Sequence, residues 1–332
     1  GTDVLAMCES IHEKFNALIS AYYPDGFAKV IATTYTKKDK VGSLLAKLDT
    51  LLTQESSSTK EGLVYCDHDS KNSHGLHQWS DLIDQIVKSN NVKFMFQPIK
   101  SCSDDNVLYY ELFTQFFINK QSIANNQLYA MAERLNKSIL LDKMVLSQLL
   151  SLGYFAPDTK LAINLTQQSL HDINFRNWLA NFFVGNRGKL PELVFEINED
   201  AVLTSVDSST DFIKMCKRFD IEICIERFGS SFTSFKYLKG LDIDFLKIDG
   251  AYIRDLDQNP ENNHFIQAVT QIGHGVGIKV LASHVENEAS LKLLKELNCN
   301  GAQGNYIQRT MYLIEKEPQS ECVYSPIKLV PS

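Results

Sequence analysis

Charged and amide side chains recur near the ends of short apolar segments, at points where an otherwise apolar pattern is interrupted. Three of them are carboxylates, whose oxygens are preferred ligands of hard divalent cations. A lysine and an arginine offer positive charge to phosphate oxygens. If the fold brings these side chains together, they could bind a divalent cation and a phosphate group. The residues are Glu111, Asn164, Glu196, Glu226, Arg227, Lys247 and Gln303.

From residue 79 onward, eight apolar or β-branched segments predict the strands of a barrel. The first two are separated only by residues 100–106, too few for a parallel crossover, so they should form an antiparallel hairpin. Helix-length stretches separate most later segments, as parallel βα units require. The predicted fold class is α/β, a TIM-like (β/α)8 barrel with one antiparallel strand. The segments are 93–99, 107–113, 160–165, 192–198, 221–229, 245–250, 278–283 and 301–307.

A barrel of this kind gives the polar residues a common location. The carboxyl ends of parallel strands, with the loops that follow them, converge on one rim, where barrel enzymes carry their active sites. One polar residue at a strand end is more often a solvent-facing or capping group. Their recurrence at the same rim favours a shared site.

Residues 1–75 predict a smaller α+β region that precedes the barrel. Apolar spacing predicts helices over residues 10–21 and 41–54, and the β-branched residues of 28–35 predict a strand between them. Two polar stretches then follow around a short apolar piece, which places a domain boundary near residue 75. The expected division is 1–75 for the first domain with its linker, 76–320 for the barrel and 321–332 for a tail.

The composition of the 332-residue chain excludes some classes of function. A formal net charge of −7 argues against sequence-independent binding of nucleic acid, which needs clustered Lys and Arg. No apolar run is long enough to span a bilayer, and residues 1–10 lack a signal-peptide pattern. The seven cysteines are scattered and never spaced CxxC, which predicts reduced thiols rather than a disulfide framework or a zinc site.

The barrel segments resemble the EAL domain, a family of cyclic di-GMP phosphodiesterases, over residues 79–310. The signature Glu-Ala-Leu corresponds to Glu111-Leu112-Phe113. The other matching blocks are FQPI at 96–99, AINL at 162–165, FEINEDAVL at 195–203, the long block at 228–253, VLASHVENE at 280–288 and GAQGN at 301–305. The order of these blocks over some 230 residues makes the resemblance specific.

The start of the chain resembles the second half of a GGDEF domain, the cyclase domain that often precedes an EAL domain. Residues 1–5, Gly-Thr-Asp-Val-Leu, align with Gly-Gly-Asp-Glu-Phe. Thr2 replaces the second Gly and Val4 replaces the catalytic Glu. The resemblance therefore implies a partial, degenerate GGDEF-like domain that could not synthesise cyclic di-GMP by itself.

The resemblance also implies a two-metal hydrolase site, with positions that only partly match here. The family's lysine, which orients water, corresponds to Lys247, and an acid of the loop after 282 is replaced by Ser283. A guanidinium now stands where a bridging carboxylate would bind metal, and contact between like charges costs on the order of 1–4 kcal/mol. The implied metal positions are Glu111, Asn164, Glu196 and the former Asp pair Glu226-Arg227.

We therefore expect no cofactor and no metal, with Mg²⁺ or Mn²⁺ relevant only if hydrolysis persists. Arg227 could hold a phosphate directly, or it could close the rim by pairing with Glu196 or Glu226. Gln115 and His284 replace family residues, which weakens the case for binding. Aromatic stacking on guanine could come from Phe232, Tyr252 or Tyr306. The expected ligand-binding residues are Gln97, Glu111, Leu112, Asn164, Glu196, Arg227, Phe228, Gly229, Lys247, Asp249, Ser283, Glu286, Gln303 and Gly304.

The resulting hypothesis is a catalytically inactive, bacterial cyclic di-GMP receptor that signals through a change in conformation or oligomeric state. Its expected partners are cyclic di-GMP and a protein or a second copy of itself, with no nucleic acid. We expect it in the cytoplasm, alone or as the cytoplasmic part of an inner-membrane protein whose membrane segment lies outside this chain. Two alternatives stay open at this point: a nucleotide-independent protein scaffold, which Gln115 favours, and a weak phosphodiesterase that uses Glu111, Asn164 and Glu196.

Overall fold

The computed structural model of the protein describes residues 4–19, 30–33, 48, 63–66, 76–119, 121–153, 155, 159–230, 235–254 and 256–312. The chain forms two compact units. The first comprises the described parts of residues 1–91 and 116–138, and the second those of 92–115 and 139–332. Among these residues, no helix is long and apolar enough to cross a membrane.

The first unit contains a helix packed on two parallel strands. Helix α1 (Val4–Ile19) contacts β1 (Val30–Thr33) and β2 (Leu63–Cys66), and Val30 pairs with Leu63. The predicted helix over 10–21 thus begins earlier, at Val4, and the predicted strand over 28–35 is confirmed by β1. The predicted helix over 41–54 lies outside the described residues except for position 48.

A second part of the first unit follows the proposed domain boundary. Helix α2 (Leu76–Ser89) buries Trp79, Ile83 and Ile86 at helical spacing and packs on α3 (Asn125–Arg134). The short strand β5 (Gln121–Ile123), which the sequence pattern did not predict, pairs with residues 116–118. The boundary near residue 75 itself falls within residues 67–75, outside the described ones, and stays a prediction.

Eight strands in the described part of the second unit close a barrel, as predicted. Their order is β3-β11-β10-β9-β8-β7-β6-β4, and β4 pairs with β3 to close it. The strands are β3 (Val92–Ser101), β4 (Val107–Ile118), β6 (Lys160–Leu165), β7 (Glu192–Asn198), β8 (Glu222–Phe228), β9 (Phe245–Ile248), β10 (Lys279–Ala282) and β11 (Gly301–Ala302). Neighbours from β4 to β11 are parallel, whereas β3 is antiparallel to β11. The single reversed strand is thereby confirmed among these eight.

Helices and short turns connect the parallel strands. Side-chain caps begin several of them: Asp172 accepts from the amide of Phe175 at 2.5 Å, and Asn287 accepts from that of Ser290 at 2.7 Å. A short strand β12 (Met311–Tyr312) also pairs antiparallel with β3. The helices are α4 (Ser138–Ser151), α5 (Gln167–His171), α6 (Ile173–Gly185), α7 (Glu199–Thr204), α8 (Val206–Lys217), α9 (Pro260–Gly275) and α10 (Glu288–Glu296), with 3₁₀ turns at Phe235–Gly240, Gly250–Tyr252 and Leu256–Gln258.

One buried layer fills the interior of the barrel and fixes the place of the polar residues above it. Seven strands each contribute one residue to this layer: Ile99, Tyr109, Ala162, Val194, Cys224, Phe245 and Leu281. Gly301 supplies the eighth position, because a Cβ there would contact Leu281 and Ile99. Side chains alternate along a strand, so the residue two positions further also faces the interior, one layer closer to the carboxyl rim.

The rim also requires a glycine after β11. A Cβ on Gly304 would overlap the backbone nitrogen and oxygen of Val285, so no side chain fits there. The amide of Val285 in turn donates to the carbonyl of Gln303 at 2.9 Å. This close approach of two loops holds the strand end that carries Gln303.

Gly304→Ala should therefore lower the stability of the barrel by about 2 kcal/mol or more, because backbone rather than a flexible side chain must move. Gly185→Ala is the matched control, since a Cβ at that helix end meets nothing within 4 Å. Thermal unfolding of both variants measures the effect. Equal midpoints for the two variants would contradict this account of the rim.

Candidate functional site

An ammonium group joins two buried carboxylates at the carboxyl rim. Lys247 on β9 donates from Nζ to Glu111 Oε2 at 2.9 Å and to Glu196 Oε1 at 2.5 Å. All three residues are at most 6% exposed. They lie two positions beyond Phe245, Tyr109 and Val194 of the interior layer, so the alternation of the strands directs them into the barrel.

Two amides complete the shell around Glu111. Asn164 Nδ2 donates to Glu111 Oε1 at 3.0 Å, and Gln303 Nε2 donates to Glu111 Oε2 at 2.8 Å. Gln303 is buried and Asn164 is exposed. Strands β4, β6, β7, β9 and the end of β11 thus bring together five of the residues that the sequence pattern predicted to meet.

The pKa values of the two carboxylates are shifted in opposite directions. Burial alone would raise the pKa of Glu111, but the charge of Lys247 and the bonds from Gln303 and Asn164 outweigh it, and the pKa is lowered. Burial and the neighbouring Glu111 raise the pKa of Glu196 to about 8, against the opposing effect of Lys247. Burial acts to lower the pKa of Lys247, yet the two carboxylates hold it well above its ordinary value.

Tyr109 is a member of the cluster that the sequence pattern did not identify. Its hydroxyl donates to Glu196 Oε1 at 2.9 Å, and burial raises its pKa well above the ordinary value. The buried Oε2 of Glu196 has no hydrogen-bond partner among the described residues. The sequence could have indicated this role, because Tyr109 lies two residues before Glu111 and therefore on the same face of β4.

Glu226 and Arg227 lie at an irregularity of strand β8. The pairing of β8 with β9 shifts register between Ile225 and Phe228, and Arg227 has a left-handed backbone with φ of 54°. Glu226 is partly buried, and burial raises its pKa against the effect of Lys247. Arg227 is exposed and forms no salt bridge with a described residue, although its charge opposes the rise in the pKa of Glu226.

The loop after β8 is anchored by a buried acid. Glu199 accepts from the amide of Gly229 at 2.9 Å and from the hydroxyl of Tyr237 at 2.6 Å. Tyr252 donates to the carbonyl of Gly229 at 3.0 Å. The amide of Gly229, one of the predicted ligand-binding residues, is thus already bonded to Glu199. Glu199 was not predicted, because its partners lie 30 and 38 residues away in sequence.

Two further predicted ligand residues have side chains that face away from the rim. Leu112 is 4% exposed and follows Glu111 directly, so it points to the other face of β4. Phe228 is 1% exposed and stacks on Phe235 with ring centroids 5.5 Å apart. For both residues, only the backbone could contact a ligand.

The remaining predicted residues lie around the same end of the barrel. Gln97 on the reversed strand is buried and donates to the carbonyl of Gln308 at 2.9 Å. Asp249 accepts from the amide of Ala251 at 2.8 Å and caps the following turn. Glu286 is exposed on the loop after β10.

The aromatic candidates for stacking on a base differ in their exposure. Tyr252 stacks on Phe265 with centroids 4.0 Å apart, so one of its faces is already covered. Tyr306 is 45% exposed after β11. Phe232 lies outside the described residues.

A histidine lies at the rim between the ends of β9 and β10. His284 is exposed, has φ of 61°, and its Nδ1 lies 3.1 Å from Ser283 Oγ. Partial burial and the charge of Arg254 lower its pKa. The ring is therefore neutral near pH 7.

The donor groups fit a bound cation pair poorly. The ammonium of Lys247 already contacts both Glu111 and Glu196, and a metal would have to displace it. Arg227 and Ser283 supply no carboxylate at two of the positions where the family has acids. Within the described residues, no group of three Asp, Glu, His or Cys side chains is arranged to hold a metal ion. We therefore derive no chemical step through a metal.

A cavity of about 590 Å³ lies at the opposite, amino end of the barrel strands. It is lined by the starts of β8, β9 and β10 and by the segments before them, including Glu222, Phe245 and Lys279. None of the predicted rim residues borders it. It is therefore separate from the candidate site.

Comparison with known proteins identifies a family for most of the chain. The family model of the EAL domain matches residues 79–310. The cyclic di-GMP phosphodiesterase PdeA of Borreliella burgdorferi is 28% identical over 240 residues, which are 70% of this chain and 35% of PdeA. The RNase E specificity factor CsrD of Escherichia coli is 21% identical over 73% of this chain and 38% of CsrD. The chain thus spans little more than a third of either relative.

Solved structures share the fold. The Vibrio cholerae LapD S helix-GGDEF-EAL structure, bound to c-di-GMP, has a TM-score of 0.76 and 21% identity, and covers 89% of this chain and 72% of that one. The FimX EAL domain of Pseudomonas aeruginosa, bound to c-di-GMP, has a TM-score of 0.64 and 24% identity over 70% of this chain and 96% of that one. At sequence identities of 21% and 24%, the structural similarity establishes a shared fold and not a shared function.

The opposite pKa shifts predict opposite responses to removal of each carboxylate charge. Between pH 4.5 and about 8, the folded protein keeps a proton on Glu196 that the unfolded chain releases, so the free energy of unfolding falls as pH rises. Glu196→Gln should remove this loss. Its thermal midpoint relative to the unaltered protein should therefore rise from pH 5 to pH 8.

Glu111→Gln is the matched variant, because it removes a carboxylate that is ionised throughout this range. Its lowered pKa means that its contribution is lost only as pH falls below 4.5. This variant should be less stable by roughly 3 kcal/mol at pH 5, with a smaller deficit at pH 8, because loss of the Glu111 charge also lowers the pKa of Glu196. A relative midpoint of Glu196→Gln that stays constant or falls from pH 5 to pH 8 would contradict the raised pKa of Glu196.

Proposed function

The chain belongs to the EAL domain family, and we propose that it is a catalytically inactive receptor for cyclic di-GMP. The dinucleotide binds at the carboxyl rim of the barrel. Binding alters the loop after Glu226 and so changes the conformation or the oligomeric state of the protein. The receptor acts in bacterial signalling, through a protein partner or a second copy of itself.

The observation that carries the proposal is the ammonium group between the two carboxylates. Lys247 contacts both Glu111 and Glu196 within the distance of a direct hydrogen bond, in a site that is almost closed to solvent. Charge-assisted bonds in a buried site are the strongest of their kind. Both carboxylates that would hold metal thus already contact a positive charge of the protein itself, which supports the loss of metal-dependent hydrolysis.

The exposed Arg227 supports retained binding of an anion. Its guanidinium forms no salt bridge within the described part of the chain, and the residue is exposed where the register of β8 against β9 shifts. A guanidinium binds phosphate oxygens in bidentate fashion, with a charge that needs no metal. The relatives support the ligand class, since the LapD and FimX structures are named as bound to c-di-GMP and PdeA as its phosphodiesterase.

We further propose that residues 1–75 are the remnant of a degenerate GGDEF domain with its linker. Residues 76–320 then form the EAL barrel, and 321–332 form a tail. The similarity to the LapD GGDEF-EAL structure supports the assignment of residues 1–75. The structural match extends over 89% of this chain, more than the family match to residues 79–310. We place the protein in the cytoplasm, alone or as part of an inner-membrane receptor.

The test is calorimetric titration of cyclic di-GMP into the protein with EDTA present. The unaltered protein should show saturable binding in the micromolar range or tighter. Arg227→Gly should weaken binding about 10- to 100-fold, because charge-assisted hydrogen bonds are lost. Glycine is the suitable replacement, since the backbone at this position is left-handed. Arg227→Lys should recover part of the loss, as it keeps the charge without the bidentate geometry.

Arg218→Ala is the matched control, because Arg218 is exposed at the other end of the barrel, before β8. It should leave the affinity unchanged. Absence of binding by the unaltered protein at high ligand concentration would contradict the receptor and favour a protein scaffold. Binding that appears only when Mg²⁺ or Mn²⁺ replaces EDTA would contradict the role given to Lys247 and Arg227.

A further inference from the structure

The imidazole ring of His284 packs against Gly250 at the rim, beside the cluster of Lys247, Glu111 and Glu196. A Cβ built on Gly250 would lie 2.5 Å from Nδ1 and 2.9 Å from Cγ of His284. The imidazole therefore occupies the space that any side chain at position 250 would need. Gly250 begins the turn after β9, and His284 lies on the loop after β10, so the contact joins two neighbouring rim loops.

The hydrogen bonds around His284 fix which nitrogen carries the proton. Ser283 Oγ donates to the carbonyl of Ile248 at 3.3 Å, which uses its only proton. The same oxygen lies 3.1 Å from His284 Nδ1 and must accept there, so Nδ1 carries the hydrogen. In a neutral imidazole the other nitrogen, Nε2, is then an acceptor.

We propose that His284 contacts the ligand directly, with Nε2 accepting a hydrogen bond from the 2-amino group of guanine or from a ribose 2′-hydroxyl. Gly250 is required because its missing side chain leaves room for the ring. This inference rests on the proposed function, and it assigns a contact to a residue where the family resemblance predicts none.

The chemistry of the free nitrogen selects the class of group that it can bind. Phosphate oxygens only accept hydrogen bonds, so a neutral Nε2 cannot bind them, whereas the nucleoside carries donors. His284 is exposed and close enough to the rim for the charges of Asp249, Glu286, Glu111 and Arg254 to act on it. No other hydrogen bond occupies the ring within the described residues.

The left-handed backbone of His284 decides which variants test the contact. Asparagine tolerates a φ of 61° and can keep a bond to Ser283, but it is too short to place an acceptor where Nε2 lies. Glutamine reaches that point with its amide oxygen. His284→Asn therefore removes the proposed contact, and His284→Gln is expected to restore it.

The experiment is calorimetric titration of cyclic di-GMP into the unaltered protein and four variants, each first checked for its thermal midpoint. His284→Asn and Gly250→Ala should each weaken binding about 3- to 10-fold, the loss of one neutral hydrogen bond. His284→Gln should bind within about twofold of the unaltered protein. Gly240→Ala is the control glycine, since a Cβ there meets nothing within 4 Å, and should have no effect.

Two ligand analogues identify the donor. Cyclic di-IMP lacks the 2-amino group of the base, and the 2′-fluoro analogue of cyclic di-GMP lacks the ribose hydroxyl. With the analogue that lacks the true donor, the ratio of affinities between unaltered protein and His284→Asn should fall to near one, because the contact is already missing. A ratio that persists with both analogues would overturn the inference.

The failures of the two proposals are distinguishable. If the unaltered protein binds cyclic di-GMP and His284→Asn binds equally well, the receptor stands and the histidine contact is wrong. If Gly250→Ala binds normally while His284→Asn does not, the interlocking of the two residues is wrong. Absence of binding by the unaltered protein overturns both.

Discussion

The burial of two carboxylates inside a barrel requires a positive charge beside them. Glu196 is fully buried and Glu111 nearly so, and isolated ionised carboxylates are costly to remove from water. Lys247 meets this requirement with one ammonium group, which contacts both. Its stabilisation of Glu111 and the partial protonation of Glu196 are two results of the same constraint, because one cation cannot fully neutralise two acids.

The geometry of the barrel turns this local constraint into a site. Strand alternation places the acids in the layer directly above the buried layer that contains Tyr109, Val194 and Phe245, so the polar site rests on the barrel core. The end of β8 and the loop after β10 then add exposed groups, among them Arg227 and His284. The exposed Arg227 and the amides of Asn164 and Gln303 at this end support the proposed binding of an anionic dinucleotide.

Much of this arrangement could be predicted from sequence, because it depends on local period and connection length. The eight barrel strands and the reversed strand follow from short apolar segments and from the seven-residue connection at 100–106. The common location of the polar residues at one rim could be predicted from their positions at the ends of these segments. The very short strands β5 and β12 were not predicted, since two or three residues carry no periodic signal.

The contacts that could not be predicted join residues far apart in the chain. Glu199 with Gly229, and His284 with Gly250, are tertiary contacts between loops that no local pattern encodes. The register shift of β8 against β9 beside Arg227 likewise depends on a neighbouring strand and not on the local sequence. Leu112 and Phe228 were predicted as ligand residues through their position in matching blocks, but alternation and packing turn their side chains into the core.

The central claim is that Lys247, rather than a metal, supplies the positive charge beside the two acids of the site. A crystal structure of the protein with cyclic di-GMP, grown in the presence of Mn²⁺, tests it through the anomalous scattering of manganese. The account predicts no manganese peak between Glu111 and Glu196, with the ammonium of Lys247 still in contact with both and Arg227 against a phosphate. A manganese peak coordinated by the two carboxylates, with Lys247 displaced, would contradict it.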